Sequence, residues 1–306
     1  MGWSLVVVVV LAGVLGATCK KTDEDPPTNE VNSKLESIRD SAFSLNNCRG
    51  RRNQLLRRVF LNNRSISCND GSPAGYYIRK SNGNRRWVIY LEGGWYCFDL
   101  QSCHNRWTRL RSLMTSTLWP EIRNGGGILS SDPDENPYLW SANHVLIPYC
   151  SSDSWSGAFY PKTPDQLAFL GSEIILEVIH QLIPYGISGA RKVYLVGSSA
   201  GGTGVMINLD RVAHALRRWG STAEVRGIAD SGWFLDNEPF NPIPCTDAHS
   251  CRPTEAVKKG FKFWNGQLPE SCRAQHTSDE WWKCYFGYKV YPTLQSNSDF
   301  CLPMAI

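Results

Sequence analysis

Gly197-Ser198-Ser199-Ala200-Gly201 is the segment of this sequence best suited to do chemistry. The G-x-S-x-G spacing fits a strand that turns sharply into a helix. Flanking glycines leave room for the bend, the central hydroxyl is lifted above the sheet, and the first helical N–H groups face a developing oxyanion. That is acyl-transfer chemistry, with Ser199 as the nucleophile and Ser198 outside the central position. Alone, the pattern could simply close the angle between a strand and a helix. Its context argues for more. Residues 192–196 are almost wholly apolar, as a central parallel strand is, and Val205, Leu209, Val212, Ala213 and Leu216 recur on one helical face behind the turn.

A second glycine-rich segment, Glu92-Gly93-Gly94-Trp95-Tyr96, follows the apolar run 86–91. Serine hydrolases of this kind place such a loop there, and its amides complete the oxyanion hole. The alternative is a plain glycine turn. A serine nucleophile also needs a base for its proton and a carboxylate to orient that base, in the chain order serine, acid, histidine. After Ser199 the histidines are His214, His249 and His276. His214 lies about 22 Å along the helix at 1.5 Å per residue, too far to reach. His249 falls between Cys245 and Cys251, and His276 between Cys272 and Cys284, where each is expected to be a solvated imidazole. Asp230 and Asp236 sit near the end of the run 225–230 without a base to orient.

The elements that must hold these groups are legible as alternating strands and helices. Residues 76–79 and 86–91 read as strands separated by Asn82-Gly83, a hairpin turn signal. Further strands are expected at 144–149, 192–196 and 225–230. Thr163-Pro164-Asp165 offers an N-cap and a first-turn proline for a helix that continues through Leu167, Leu170, Ile174, Ile175, Val178 and Leu182. Strand, helix, strand, helix, strand implies an α/β fold with a mainly parallel sheet covered on both sides.

At 306 residues, 42% hydrophobic and 20% charged, the chain can bury one large core or two small ones. A net charge of +4 is too modest for nucleic acid to be the main partner. Residues 1–17 form an apolar run ending in small residues, shorter than a membrane span of about 20 residues. They read as a signal peptide, with a signal anchor as the alternative, and the chain is not expected to span a membrane. Residues 18–47 read as a flexible polar leader with a short helix near 33–45, and the ordered domain is expected from Cys48. Eleven cysteines include the close pairs Cys97/Cys103, Cys245/Cys251 and Cys272/Cys284 and no paired C-x-x-C spacing. A disulfide framework is therefore expected, with no metal and no cofactor. Asn63-Arg64-Ser65 is a glycosylation acceptor consistent with the same secretory route.

Several longer motifs carry a family resemblance. Tyr90-Leu-Glu-Gly-Gly-Trp-Tyr-Cys-Phe98, Ile147-Pro-Tyr-Cys-Ser-Ser152, Gly197-Ser-Ser-Ala-Gly-Gly-Thr-Gly204 and Ala229-Asp-Ser-Gly-Trp-Phe-Leu-Asp236 resemble the pectin acetylesterase superfamily of α/β hydrolases. Cys68-Asn-Asp-Gly-Ser-Pro-Ala-Gly-Tyr76, Trp264-Asn-Gly266 and Cys284-Tyr-Phe-Gly-Tyr-Lys-Val-Tyr-Pro292 are similar to its palmitoleoyl-protein carboxylesterase branch. The resemblance covers residues 48–294. It implies a secreted serine carboxylesterase that removes the lipid from Wnt proteins and so restrains Wnt signalling, through an acyl-enzyme on Ser199. It further implies an oxyanion hole from the amides of Gly94, Trp95 and Ala200, and an acyl pocket drawing on Trp95, Tyr96, Phe234, Tyr285 and Phe286. Read without the resemblance, those rings are equally consistent with ordinary core. Heparan sulfate or glypicans are implied as further partners, with Arg49/Arg51/Arg52, Arg57/Arg58 and Arg217/Arg218 as candidate contacts, although basic clusters usually form a solvated face.

Residues 295–306 do not resemble the family's continuation. The last strands and helices, and with them the triad Asp and His, are therefore expected to be missing, leaving the edge of the strand at 225–230 exposed. Two other functions fit the same residues: a catalytically dead acyl or Wnt binder, and a carbohydrate acetylesterase.

Overall fold

The computed structural model describes residues 55–237 and 245–296, together with the backbone of a short strand at 298–299. All of them belong to the unit Arg49–Ile306. The expected signal peptide, the leader with its short helix, Arg49/Arg51/Arg52, and Cys19, Cys48 and Cys301 lie outside the described residues.

The strands are β1 (Leu55–Phe60), β2 (Gly75–Arg79), β3 (Arg86–Leu91), β4 (Ile122–Asn124), β5 (Asn143–Ile147), β6 (Lys192–Ser198), β7 (Glu224–Asp230) and β8 (Ser298–Asp299). They form one sheet in the order β4-β1-β2-β5-β3-β6-β7-β8. The β5-β3-β6-β7-β8 side is parallel, and β1, β2 and β4 are joined antiparallel. β5 is buried at every position, and β6 buries Val193, Leu195 and Val196, as strands covered on both faces must. This is the mainly parallel α/β-hydrolase sheet expected from the sequence.

β2 and β3 are not a hairpin. Asn82-Gly83 does turn the chain, with Gly83 at φ +76°, but β5 lies between the two strands. The buried Asn143 at the start of β5 explains the insertion. Its Oδ1 accepts from Ser81 N at 3.0 Å, and its Nδ2 donates to Asn84 O at 2.7 Å and Arg86 O at 3.0 Å. One side chain thus satisfies both arms of the turn, and the parallel ladder with β3 runs from Trp87↔Asn143 to Leu91↔Ile147.

The helices are α1 (Leu100–Arg109), α2 (Gly171–Gln181), α3 (Ala200–Arg218), α4 (Pro253–Trp264), α5 (Glu270–Arg273) and α6 (Gly287–Val290). Asp99 and Ser102 form a reciprocal capping box that starts α1. α3 packs on β6, β7 and β3, and α2 packs on α3 and β2. The apolar face expected for α3 is buried throughout.

α2 starts later than its cap signal predicts. Thr163-Pro164-Asp165 makes only a turn, with Gln166 N donating to Thr163 O at 3.1 Å. Phe159 and Phe169 then pair in extended conformation, and Gly171 N donates to the Asp153 carboxylate at 2.8 Å. Until that pairing ends, the backbone is committed elsewhere. From Leu170 onward the expected apolar positions are buried.

The expected open edge of β7 is also altered, since β8 pairs with it at Gly227↔Ser298 and Ile228↔Asp299.

All three close cysteine pairs are disulfides, and a fourth joins Cys68 to Cys150 across 82 residues. Closing a loop of that length is worth about 4–5 kcal/mol in a chain-entropy account. Among the described residues no helix is long and apolar enough to cross a membrane.

Two fully buried ionisable groups oppose each other in their dependence on pH. Burial, reinforced by the Arg79 guanidinium, pushes the His144 imidazole down from 6.5 to about 4. Its Nε2–H donates to Leu139 O at 2.8 Å, and Nδ1 accepts from Arg79. Burial pushes the Asp153 carboxyl up from 3.8 to about 6, against hydrogen bonds from Ser151, Gly171 and Trp155. Between pH 6.5 and 4 the native chain binds fewer protons than the unfolded one at His144, so stability falls with acid there; at Asp153 it binds more, so stability rises. His144→Gln is therefore expected to close its stability gap to wild type by about 3 kcal/mol between pH 6.5 and 4. Urea unfolding at several pH values checks this, and a gap independent of pH would count against it.

Candidate active site

The serine turn is built by three chain segments in close contact. β6 ends at Ser198 and α3 begins at Ala200, leaving Ser199 between them at φ 56°, ψ −121°. A side-chain-bearing residue rarely adopts this conformation, at a cost of about 1–3 kcal/mol. It is held by Ser199 N donating to Asp230 O at 2.9 Å and by Thr203 N donating to Ser199 O at 3.1 Å. The flanking glycines are steric necessities, as the spacing implies. A Cβ on Gly197 would lie 2.3 Å from Gly201 O, and one on Gly201 would lie 2.1 Å from Leu91 O.

The two serines are separated in role. Ser198 Oγ donates to Asp230 Oδ2 at 2.9 Å, while the other Asp230 oxygen accepts from Ser231 Oγ at 2.9 Å. Both serines line an open cavity, but among the described residues no carboxylate holds Ser199 Oγ. Asp230 thus braces the turn from the neighbouring strand, a task the sequence did not suggest. Asp236 accepts from Tyr288 OH at 2.7 Å, away from this brace.

The loop after β3 meets the serine turn directly: a Cβ on Gly93 would sit 3.0 Å from Ser199 Cβ and 2.6 Å from Ser198 O. Gly94 has φ 142° and Trp95 φ 56°, so the backbone bends sharply beside the serine. The residues expected to donate to an oxyanion, Gly94, Trp95 and Ala200, therefore belong to segments packed against one another.

Glu92 anchors this loop. Its carboxylate pairs with Arg123 at 2.6 Å and accepts from Tyr149 N at 3.3 Å, and its carbonyl accepts from Trp155 Nε1 at 2.9 Å. Trp155 is set in turn by Asp153. Asp153 Oδ1 accepts from Ser151 Oγ at 2.6 Å and Trp155 N at 3.0 Å; Oδ2 accepts from Gly157 N at 3.2 Å and Gly171 N at 2.8 Å. Sequence reasoning missed this knot. Its only signal was the polar run Ser151-Ser152-Asp153-Ser154 directly after an apolar strand, a run that needs a central acceptor if it is buried.

The rings expected to form an acyl pocket come together as one cluster. Trp95 lies 6.0 Å from Phe234, Phe234 6.5 Å from Tyr285, Tyr96 6.1 Å from Tyr285, and Tyr285 5.6 Å from Phe286, centroid to centroid. Trp95 and Phe234 are half-buried, and the other three are buried. A cavity of about 730 Å³ that reaches Ser199 is on the Gly93–Gly94 side and is walled by other residues, including Tyr90, Leu118, Trp119 and Arg123. These escaped the sequence reading because they come from separate elements with no shared motif.

His214 is exposed on α3. His249 is exposed but not simply solvated, since its ring lies 4.1 Å from that of Trp95. His276 is half-buried beside Cys272 and Cys284, whose sulfurs are bonded to each other and so offer a metal no thiolate. Among the described residues no hydrogen bond joins Ser199 Oγ to an imidazole.

Residues 51–302 match the family described as Pectinacetylesterase, a stretch that runs past Leu294. The chain is 52% identical over 267 residues to the palmitoleoyl-protein carboxylesterase NOTUM of Homo sapiens, covering 87% of this chain and 54% of that protein. It is 50% identical over 254 residues to the palmitoleoyl-protein carboxylesterase NOTUM of Drosophila melanogaster, covering 81% and 37%. For the Schmidtea mediterranea protein of the same description, identity is 37% over 274 residues, covering 88% and 52%. The chain spans about half the length, or less, of these curated relatives.

Proposed function

Because the chain belongs to the pectinacetylesterase family, we propose that it is a serine carboxylesterase acting on a long-chain acyl ester carried by a protein. The observation that carries this reading is Ser199, held at φ 56° against the Gly93-Gly94-Trp95 loop. Ser199 Oγ attacks the ester carbonyl, and the carbonyl oxygen takes the negative charge beside the amides of Gly94, Trp95 and Ala200. The alcohol then leaves with a proton, and water hydrolyses the acyl-enzyme to acid and free serine. The ring cluster from Trp95 to Phe286 supports a long acyl chain over acetate. The relatives are described as palmitoleoyl-protein carboxylesterases, and lipidated Wnt proteins are the substrate we assign on that ground.

Secretion is supported by the four disulfides. Asn63 is exposed and its Oδ1 accepts from Ser65 N and Oγ, leaving Nδ2 outward as a glycan acceptor. The exposed pair Arg217 and Arg218 is our candidate contact for a sulfated glycan such as heparan sulfate, whereas Arg58 is spent on Trp119 O and the Phe60 ring.

The test is hydrolysis of p-nitrophenyl acetate, butyrate and decanoate, with a fluorophosphonate probe to count reactive serines. With no imidazole hydrogen-bonded to Ser199 Oγ among the described residues, oxyanion stabilisation and binding still supply about 10³–10⁴-fold over water. Slow turnover, preferring decanoate, with one serine labelled is expected. Acetate preference would favour the carbohydrate esterase, and acyl binding without labelling the dead binder.

A further inference from the structure

A second cavity, of about 410 Å³, lies between the later turns of α3 and the chain from Gln267 to Arg273, with Gln295 in its wall. It is separate from the serine turn. At 1.5 Å per residue, Arg211 and Arg217 stand about 18 and 27 Å along α3 from Ser199. Its apolar wall comes from the buried Ile207 and Pro269 and the half-buried Leu268.

The charged groups in the wall differ in whether they are already engaged. Arg211 is tied to Glu173 at 2.7 Å, and Asp210 accepts from Gln295 N at 3.0 Å and Ser296 N at 2.8 Å. Among the described residues neither Arg217 nor Arg273 has a carboxylate partner. The Nε of Arg273 is buried there with no hydrogen-bond partner at all. Arg273 is nevertheless fixed in place. Its guanidinium lies 3.8 Å from the Trp281 ring centroid, and the Cys272–Cys284 disulfide ties the two segments together. A stacked guanidinium still presents its N–H edge to a planar acceptor, and much of its rotamer freedom is lost before a ligand arrives.

We propose that this cavity binds a small organic carboxylate, with its headgroup on Arg273 and Arg217 and its alkyl body against Ile207, Leu268 and Pro269. A carboxylate is planar and accepts two N–H bonds from one guanidinium. Asp210 and Glu270 share the wall, so a single negative charge is tolerated where a phosphate dianion meets stronger repulsion. A neutral molecule of the same shape gains the apolar contact alone. The volume falls in the range of about 300–1,000 Å³ typical of small-ligand sites. Arg218, the neighbour of Arg217 on the exposed surface, is not in this wall, which sets the site apart from the surface proposed for a sulfated glycan.

The experiment titrates the full chain with pentanoate and with pentanamide by saturation-transfer NMR. It needs no turnover, so its result is independent of the esterase reading. Pentanoate is expected to bind about tenfold more tightly than pentanamide, and Arg273→Gln to weaken pentanoate by about tenfold, the loss of one charge-assisted pair. Arg218→Gln is expected to leave it unchanged. Because Arg273 also packs on Trp281, a second variant leaves that contact intact: His214→Trp fills the cavity from an exposed position on α3 and is expected to weaken pentanoate to the same extent. Equal binding of pentanoate and pentanamide, or no binding of pentanoate, overturns the assignment. So does binding that survives either Arg273→Gln or His214→Trp, since the carboxylate would then sit elsewhere, the Ser199 cavity included.

Discussion

Ser199→Ala is expected to abolish fluorophosphonate labelling and the acyl-enzyme, because no second hydroxyl can take its place, while the slow turnover that the oxyanion hole and binding supply by themselves changes little. Ser198 is adjacent in sequence, but its Oγ is bound to Asp230 Oδ2 at 2.9 Å. The substitution keeps the Cβ and the backbone bonds to Asp230 O and from Thr203 N, and alanine at φ 56° is no more strained than serine. The melting temperature should therefore stay close to that of wild type while labelling disappears. Ser198→Ala should instead retain labelling. A Ser199→Ala chain that still labels would remove the nucleophile from this site, and the proposed function with it.

Gly201→Ala should cost about 3 kcal/mol or more of folding stability, and in whatever fraction folds, acylation of Ser199 should fall about 100-fold. The added methyl would meet Leu91 O at 2.1 Å, Leu91 C at 2.8 Å and Glu92 O at 3.0 Å. All three atoms are backbone, so no rotamer change relieves the clash. Relief requires β3 to move away from α3, and β3 leads straight into Gly93-Gly94-Trp95. The damage therefore reaches the oxyanion donors as well as the core. Gly189→Ala is the matched control, since its Cβ meets nothing within 4 Å, and it should stay within about 0.5 kcal/mol of wild type. Denaturant midpoints and labelling rates measured on both variants decide the point. A Gly201→Ala chain as stable and as reactive as wild type would show that the contact between turn and loop is not needed.

The same contact marks the boundary between what was readable in advance and what was not. The serine turn, the Gly93-Gly94 loop, β6, β7, α3 and the short-range disulfides were legible because each depends on residues within a few positions of one another. Sterics at the turn, apolar runs and periodicity along strand and helix, and small cysteine loops are local properties, and a linear sequence records them directly. The cap at Thr163 was a correct local signal that lost to a distant partner, because Asp153 and the Phe159–Phe169 pairing held the backbone until Gly171. The Asn82-Gly83 turn likewise formed, but the partner of β2 was set by the buried Asn143, some sixty residues away in sequence.

Tertiary structure alone assigned Asp230 to brace the turn, joined Cys68 to Cys150, placed His249 on Trp95 and walled the Ser199 cavity with Tyr90, Trp119 and Arg123. The reason is that local patterns state what each segment prefers by itself. Which segments meet depends on satisfying every buried donor, acceptor and apolar surface of the whole chain at once, and that condition is met only when the chain is folded.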